Sequence, residues 1–456
     1  MAEDLAARGK TLPTIGDSPL AMKESRTMRQ NLWRAMLKSF SQHMMPATLG
    51  FFALVPFAPA GPPEDNFRIA ALTPPWLDTK PLPSYWPRAR MWQGIPGIER
   101  APGGRLWATW YTGLLGEGKG QNYCLLVTSG DDGKTWSKPV AVYDPSRQLI
   151  GGDSNDPALW VDPNGKMWWI VNRLMKVPDQ PSRTVWGFYT EEPDAAFPEW
   201  KGPVFLGYGN ELNKPTVLKD GTWMFTVDWF YRTPSENPLL TKEAKLYRFT
   251  GYDTPTEYVG GVFIPDSPFA EHMFIERKDG SFWMLARTTY GIAQIESRDG
   301  GRTWSEATPF TQEFGVNTRF FLRPLKSGNI LLVANDHPKN RCNMTAFLSK
   351  DEGKTWPHKL VLDERGAVSY PDGTQGDDGF IYITYDRGRY YKDQQEILFA
   401  KITEADIEAG NLVNPESRLQ QLINRLSDEG GGVKYNWETT DMRKEWEAIQ
   451  EKMKGE

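Results

Sequence analysis

The sequence predicts an all-β chain folded as a six-bladed β-propeller with short C-terminal helices, and three observations lead there. An eight-residue pattern occurs three times, its spacing matches one four-stranded sheet, and aromatic and turn-forming residues are abundant. The pattern first reads Ser129-Gly-Asp131-Asp-Gly133-Lys-Thr135-Trp136. It returns as Ser297-Arg-Asp299-Gly-Gly301-Arg-Thr303-Trp304 and as Ser349-Lys-Asp351-Glu-Gly353-Lys-Thr355-Trp356. Each copy follows a strand-like run, at 123–127, 292–295 and 345–348. The Asp carboxylate can accept backbone N–H bonds and hold a tight turn. The Gly permits positive φ without steric cost. The Trp can bury a large apolar face between neighbouring sheets. Each box therefore predicts a strand–turn–strand hairpin.

Spacing supplies the number of sheets. Asp299 and Asp351 are 52 residues apart, a plausible length for one four-stranded blade with its loops. Asp131 and Asp299 are 168 residues apart, which leaves room for two blades without a box. Strand-like runs for those two lie at 158–161 and 167–171, then at 215–218 and 223–227. A last blade follows around 380–385 and 397–402, with a closing strand expected from 66–72. A closed ring of sheets leaves only short protected edges. The Trp168-Trp169 pair reads as inter-blade core, and Tyr385-Asp386-Arg387 as blade-turn residues.

Composition narrows the function classes. The 456 residues carry a net charge of −5 with no basic block, which argues against a nucleic-acid partner. Two cysteines, Cys124 and Cys342, make neither a disulfide framework nor a structural zinc site and are expected as free thiols. No histidine spacing suits a metal, and no phosphate or dinucleotide fingerprint follows a strand, so neither metal nor cofactor is expected.

Three segments are expected: an N-terminal extension or export signal at 1–60, a propeller at 61–405 and a helical tail at 406–456. Arg34 and Lys38 precede an apolar run at 49–60 that ends Ala58-Pro-Ala60, like a cleavage site. That favours a secreted or periplasmic protein over a cytoplasmic one, and the run is too short and Pro-rich for a membrane span. In the tail, 404–409, 415–426 and 440–454 read as helical.

The repeated boxes resemble those of the sialidase family, the BNR or Asp-box proteins, where they lie on the outer rim and are structural. A second resemblance bears on chemistry. The stretch Glu271-His-Met-Phe-Ile-Glu-Arg-Lys-Asp-Gly-Ser-Phe-Trp-Met-Leu-Ala-Arg287 is similar to the sialidase segment E-x-x-V-V-E-L-x-D-G-x-L-L-L-N-x-R. The resemblance implies that Glu271 activates a tyrosine and that Arg287 binds a substrate carboxylate. Arg341-Cys-Asn-Met-Thr-Ala-Phe-Leu-Ser349 resembles the family's R-x-x-G-T-x-x-x-S run, which makes Arg341 a second carboxylate ligand. Val368-Ser-Tyr370 resembles the nucleophile segment, which makes Tyr370 the nucleophile. A neutral tyrosine avoids the repulsion that a substrate carboxylate would exert on a carboxylate nucleophile. It needs a base within reach, because its ordinary pKa is near 10.

The sequence departs from that family twice. The family's F-R-I-P run, whose Arg completes the carboxylate clamp, is matched here by Trp92-Gln93-Gly94-Ile95-Pro96. No Arg stands there, and Gln93 is the substrate-binding candidate at that place. The loop expected to carry an acid/base Asp has Glu117 instead. Arg319, Asp156 and Lys214 precede or begin inner strands and are expected to face the central pocket, with His272 beside Glu271. Three readings follow. The first is an exo-glycosidase that releases a terminal acidic sugar from a glycan. The second is a polysaccharide lyase or rhamnose-releasing enzyme acting at a uronic acid, with His272 and Tyr370 as acid and base. The third is a non-catalytic glycan-binding propeller.

Overall fold

The computed structural model describes residues 73–426, short internal stretches excepted, of which 229–242 is the longest. The expectations for 1–60, for the closing strand at 66–72 and for the helix at 440–454 lie outside the described residues.

Among the described residues twenty-four strands form six four-stranded antiparallel sheets, each built from consecutive strands. Blade 1 holds β1 (Trp92–Arg100), β2 (Leu106–Gly113), β3 (Tyr123–Ser129) and β4 (Ala141–Tyr143). Blade 2 holds β5 (Asp153–Val161), β6 (Met167–Met175), β7 (Ser182–Thr190) and β8 (Lys201–Tyr208). Blade 3 holds β9 (Thr216–Val217), β10 (Trp223–Asp228), β11 (Ala244–Arg248) and β12 (Glu257–Val262). Blade 4 holds β13 (His272–Glu276), β14 (Phe282–Thr288), β15 (Gly291–Ser297) and β16 (Thr308–Pro309). Blade 5 holds β17 (Phe321–Pro324), β18 (Ile330–Asn335), β19 (Met344–Ser349) and β20 (His358–Asp363). Blade 6 holds β21 (Val368–Gln375), β22 (Ile381–Arg387), β23 (Glu396–Ile402) and β24 (Arg418–Arg425).

The first strand of each blade is innermost. β1 touches β5 and β21, β13 touches β9 and β17, and β17 touches β21. This is the six-bladed propeller that the box spacing predicts, with two boxless blades between the first and second boxes and blade 6 also without one.

The helix α1 (Glu404–Ala409) forms where expected, with Thr403 and Asp406 in a reciprocal capping box. The stretch at 415–426 does not. Instead of a helix it supplies β24, which pairs antiparallel with β23, so the ring extends past 405 to Arg425. Most of β24 is half-buried, with only Ile423 turned inward, and its mostly polar run shows no clear period of two that would mark it as a strand.

The boxes are built as their chemistry requires. Asp131 Oδ1 accepts from the Thr135 backbone N–H at 2.9 Å and from the Ser129 hydroxyl at 2.7 Å. The Asp299 and Asp351 turns repeat this pattern. The threonine hydroxyl of each box also donates to the Asp Oδ2 at 2.6 Å, and this bond foremost, with the others, lowers each of the three carboxyls to about 2. Each box glycine has positive φ and lies against the preceding blade. A Cβ on Gly133 would stand 2.4 Å from Phe399, on Gly301 2.7 Å from Leu246, and on Gly353 2.7 Å from Trp283. The boxes thus set how closely blades approach.

Between blades the packing is aromatic. Successive side chains of a strand face opposite ways, so Trp168 packs on Trp223 of blade 3 while the Trp169 indole donates to Thr109 of blade 1 at 2.9 Å. Among the described residues no strand is shared between blades 6 and 1, and side-chain bonds join them. Gln93 donates to the Gln395 carbonyl at 2.7 Å, and Asp372 accepts from the Ile98 backbone at 2.9 Å. Lys214 is the central fastener. Its buried ammonium reaches Glu99 at 3.0 Å, Asp372 at 3.4 Å and the carbonyls of Ile98 and Leu159. It therefore joins blade 3 to blades 1, 2 and 6. Among the described residues no helix is long and apolar enough to cross a membrane. Cys124 and Cys342 are free.

Candidate active site

Three inner strands bulge at the same place, each time one residue before a proline. The shifts lie at Gly94/Gly97 in β1, Asn155/Ala158 in β5 and Ser369/Asp372 in β21. The bulged residues are Ile95, Asp156 and Tyr370, with φ of 58°, 43° and 56°. Proline disfavours right-handed helical backbone in the residue before it. Left-handed backbone in a non-glycine residue costs of order 1–3 kcal/mol and collects at functional sites. All three residues line one cavity of about 960 Å³.

Tyr370 and Glu271 meet there. The Tyr370 hydroxyl donates to Glu271 Oε1 at 2.8 Å. Arg287, on β14, donates through Nη1 to both Glu271 oxygens at 2.9 Å and to the Tyr370 oxygen at 3.0 Å. Burial would raise the Glu271 carboxyl, but the Arg287 charge and the bonds from Arg287 and Tyr370 outweigh it and hold the group below its ordinary value. Burial, and then the Glu271 charge, push the Tyr370 hydroxyl well up. The pair is thus a neutral phenol on an ionised carboxylate.

Two further guanidinium groups stand over the Tyr370 ring, Arg389 at 4.3 Å and Arg341 at 5.5 Å from its centre. Arg389 Nε pairs with Asp386 at 3.4 Å, and its Nη1 reaches Glu117 at 3.5 Å. Glu117 also accepts from the hydroxyls of Tyr111 and Tyr390. Asn122 holds the Glu117 loop by taking the Gly118 N–H at 3.0 Å and giving to the Gly116 carbonyl at 3.0 Å.

Asp156 lies on the same cavity wall. Its Oδ2 accepts from the Asn155 amide at 2.6 Å, and its Oδ1 is buried with no hydrogen-bond partner among the described residues. Burial first, and then the charges of Glu117 and Glu271, raise its carboxyl to about 7. Such a group can be protonated at neutral pH and deliver its proton.

A family model described as BNR repeat-like domain matches residues 104–383, more than half of the chain. The chain belongs to this BNR repeat-like family. Its propeller is similar to the NanB sialidase from Streptococcus pneumoniae, at 13% identity, TM-score 0.53, and 70% of each chain covered. It is also similar to the intramolecular trans-sialidase from Ruminococcus gnavus, at 15% identity and TM-score 0.52, over 73% of this chain and 98% of that one. A protein of unknown function from Dyadobacter fermentans matches at 16% identity and TM-score 0.52, over 67% of this chain and 93% of its own. These likenesses are of fold. No curated protein sequence matches the chain.

In this BNR repeat-like propeller Tyr370, Glu271, Arg287, Arg341, Glu117 and Asp156 share the cavity wall. Four other sequence candidates are not among the described residues that line it. His272 follows Glu271, so its side chain faces the other way and is buried, and its carbonyl takes the Asn213 amide at 2.7 Å. Arg319 lies deeper, bonded to Asn213 at 3.2 Å. Lys214 and Gln93 are the inter-blade fasteners described above. The sequence reading missed Arg389, Tyr111, Tyr390 and Arg183, all on the wall. It also took Asp386 for a turn residue. Asp386 is buried in β22, where it anchors Arg389 and accepts from the Ile95 backbone at 2.8 Å and the Ser369 hydroxyl at 2.8 Å. The signal available in the sequence was the repeated X-Pro at Ile95-Pro96, Asp156-Pro157 and Tyr370-Pro371.

Proposed function

We propose that this protein is an exo-glycosidase that releases a terminal carboxylate-bearing sugar from a glycan through a covalent tyrosyl intermediate. The observation that carries the reading is the Tyr370–Glu271 hydrogen bond of 2.8 Å inside a cavity walled by arginines. Binding a sugar alone does not require a buried carboxylate bonded to a phenol.

In the first step the Tyr370 oxygen attacks the anomeric carbon while Glu271 takes the phenolic proton. The glycosidic C–O bond breaks, and Asp156 gives its proton to the leaving oxygen. In the second step water attacks the same carbon, Asp156 takes a proton from it, and Glu271 returns the first proton to Tyr370. Atoms and charge balance over the cycle, with one water consumed. The raised carboxyl of Asp156 favours it over Glu117 as acid, because Glu117 is already tied to Arg389 and two phenols. The lyase reading that pairs His272 with Tyr370 has less support, because the His272 side chain does not line the cavity.

The test is mass spectrometry, with ultraviolet absorbance, of products from sialylated and uronate-containing glycans. Products that gain one water without new absorbance, and their loss in Tyr370→Phe, are expected. An unsaturated uronate product would overturn the hydrolytic reading.

A further inference from the structure

We infer that Arg389 and Arg341, rather than Arg287, form the fork that receives the substrate carboxylate, with Arg389 reaching from blade 6 into space that Gly94 of blade 1 leaves open. The inference rests on the exo-glycosidase reading above and deepens it.

Donor accounting separates the three arginines. A guanidinium has five N–H donors. Arg287 commits Nε to Asn317 Oδ1 at 2.7 Å, Nη2 to the Asn317 carbonyl at 3.2 Å, and Nη1 to Glu271 and Tyr370. Its guanidinium carbon also stands over the Phe269 ring, 3.6 Å from the ring centre. Little is left for a ligand, so Arg287 acts as a positioning residue for the Tyr370–Glu271 pair. Among the described residues the Arg341 guanidinium makes no hydrogen bond or ion pair, only the ring contact with Tyr370. Arg389 meets its two carboxylates through Nε and Nη1, at 3.4 and 3.5 Å, and its Nη2 makes no hydrogen bond among the described residues.

Gly94 explains how Arg389 fits. A Cβ built on Gly94 would stand 2.1 Å from Arg389 Cδ and 2.6 Å from its Cγ. Any side chain at Gly94 would therefore expel the Arg389 stem. The next atom it would meet is Asp386 Oδ2, at 3.1 Å, the same carboxylate that anchors Arg389. Position 94 and position 389 are thus two routes for one guanidinium to one anchor. This chain fills the space from position 389.

The test is calorimetric binding of N-acetylneuraminic acid and D-glucuronic acid, each beside its methyl ester. The wild type should prefer at least one acid to its ester. Arg389→Lys should weaken that acid about 10- to 100-fold, the size of a lost charge-assisted bond, and leave the ester unchanged. Arg287→Lys should keep the acid preference while lowering turnover. The double variant Gly94→Arg with Arg389→Ala should recover most of the lost affinity, because the new guanidinium meets Asp386. Arg389→Lys binding the acid as the wild type does, or a folded double variant without acid preference, would overturn the inference and leave the catalytic reading standing. A wild type indifferent to acid and ester would overturn the carboxylate reading itself.

Discussion

Asp156→Asn tests the electrostatics of the cavity directly. The Asp156 carboxyl has an ordinary value of 3.8 and is raised to about 7 in the fold, by burial first and then by Glu117 and Glu271. A group whose folded pKa is raised stabilises the fold most below its unfolded value, and that contribution falls as pH climbs to the folded value. Each pKa unit corresponds to about 1.4 kcal/mol, so the gap from 3.8 to about 7 amounts to about 4 kcal/mol in full. Between pH 5 and pH 8 the wild type should lose about 3 kcal/mol of it. An asparagine has no proton to lose and can still accept from the Asn155 amide. The difference in urea unfolding free energy, variant minus wild type, should therefore rise by about 3 kcal/mol from pH 5 to pH 8, measured as the shift in midpoint at constant slope. In activity, the basic limb of the wild-type kcat/KM profile should fall near pH 7 and be absent from whatever activity the variant keeps. A stability difference that is flat across this range would refute the raised carboxyl and remove Asp156 as the acid.

Glu271→Gln keeps the shape of the pair but removes the base. Turnover of a fluorogenic N-acetylneuraminide should drop by about 10²- to 10⁴-fold while affinity for the free acid changes little; a variant within threefold of wild type would rule Glu271 out as base. Lys214→Met leaves Glu99 and Asp372 buried without their cation and should cost about 3–5 kcal/mol in urea unfolding. Gly301→Ala combines a φ of 90° with a Cβ 2.7 Å from Leu246, whereas Gly165→Ala has a φ of 79° in open space. The first should lose more stability than the second, which bears only the backbone strain of about 1–2 kcal/mol.

The ring was legible because its signal is local and repeated. Ser129, Asp131, Gly133 and Thr135 make their bonds within one turn, so the turn's chemistry is written contiguously in the chain. Glu271 and Arg287 were legible for a related reason: they sit at corresponding ends of the paired strands β13 and β14, at a fixed hairpin spacing. Arg389 could not be read this way. Its role depends on Gly94, nearly 300 residues earlier, and only ring closure brings blade 6 against blade 1. The same holds for Lys214, whose partners Glu99 and Asp372 come from two other blades. Such a lysine looks identical in sequence whether it faces a ligand or ties inner strands together. The strand β24 was lost to a different cause, since a mostly polar edge strand carries neither a clear period of two nor an apolar face.

The X-Pro bulges connect these two kinds of information. A regular inner strand would alternate its side chains between the two faces of its sheet, which in a propeller lie against neighbouring blades. No side chain would then turn squarely onto the central cavity. The bulge at Tyr370, held by Pro371 and by the Ser369–Asp386 bond of 2.8 Å, breaks that alternation and turns the phenol toward Glu271. The bulge at Asp156 does the same for its carboxyl, and the bulge at Ile95 opens blade 1 beside Gly94. Asp386 serves two of these places at once, accepting from Ser369 beside Tyr370 and from the Ile95 backbone. It also anchors Arg389. One buried carboxylate thus fixes the strand that carries Tyr370, the edge of the neighbouring blade and the arginine that fills the gap between them. Binding and bond cleavage would be coupled through it, so a change at Asp386 should lower affinity for the free acid and turnover together.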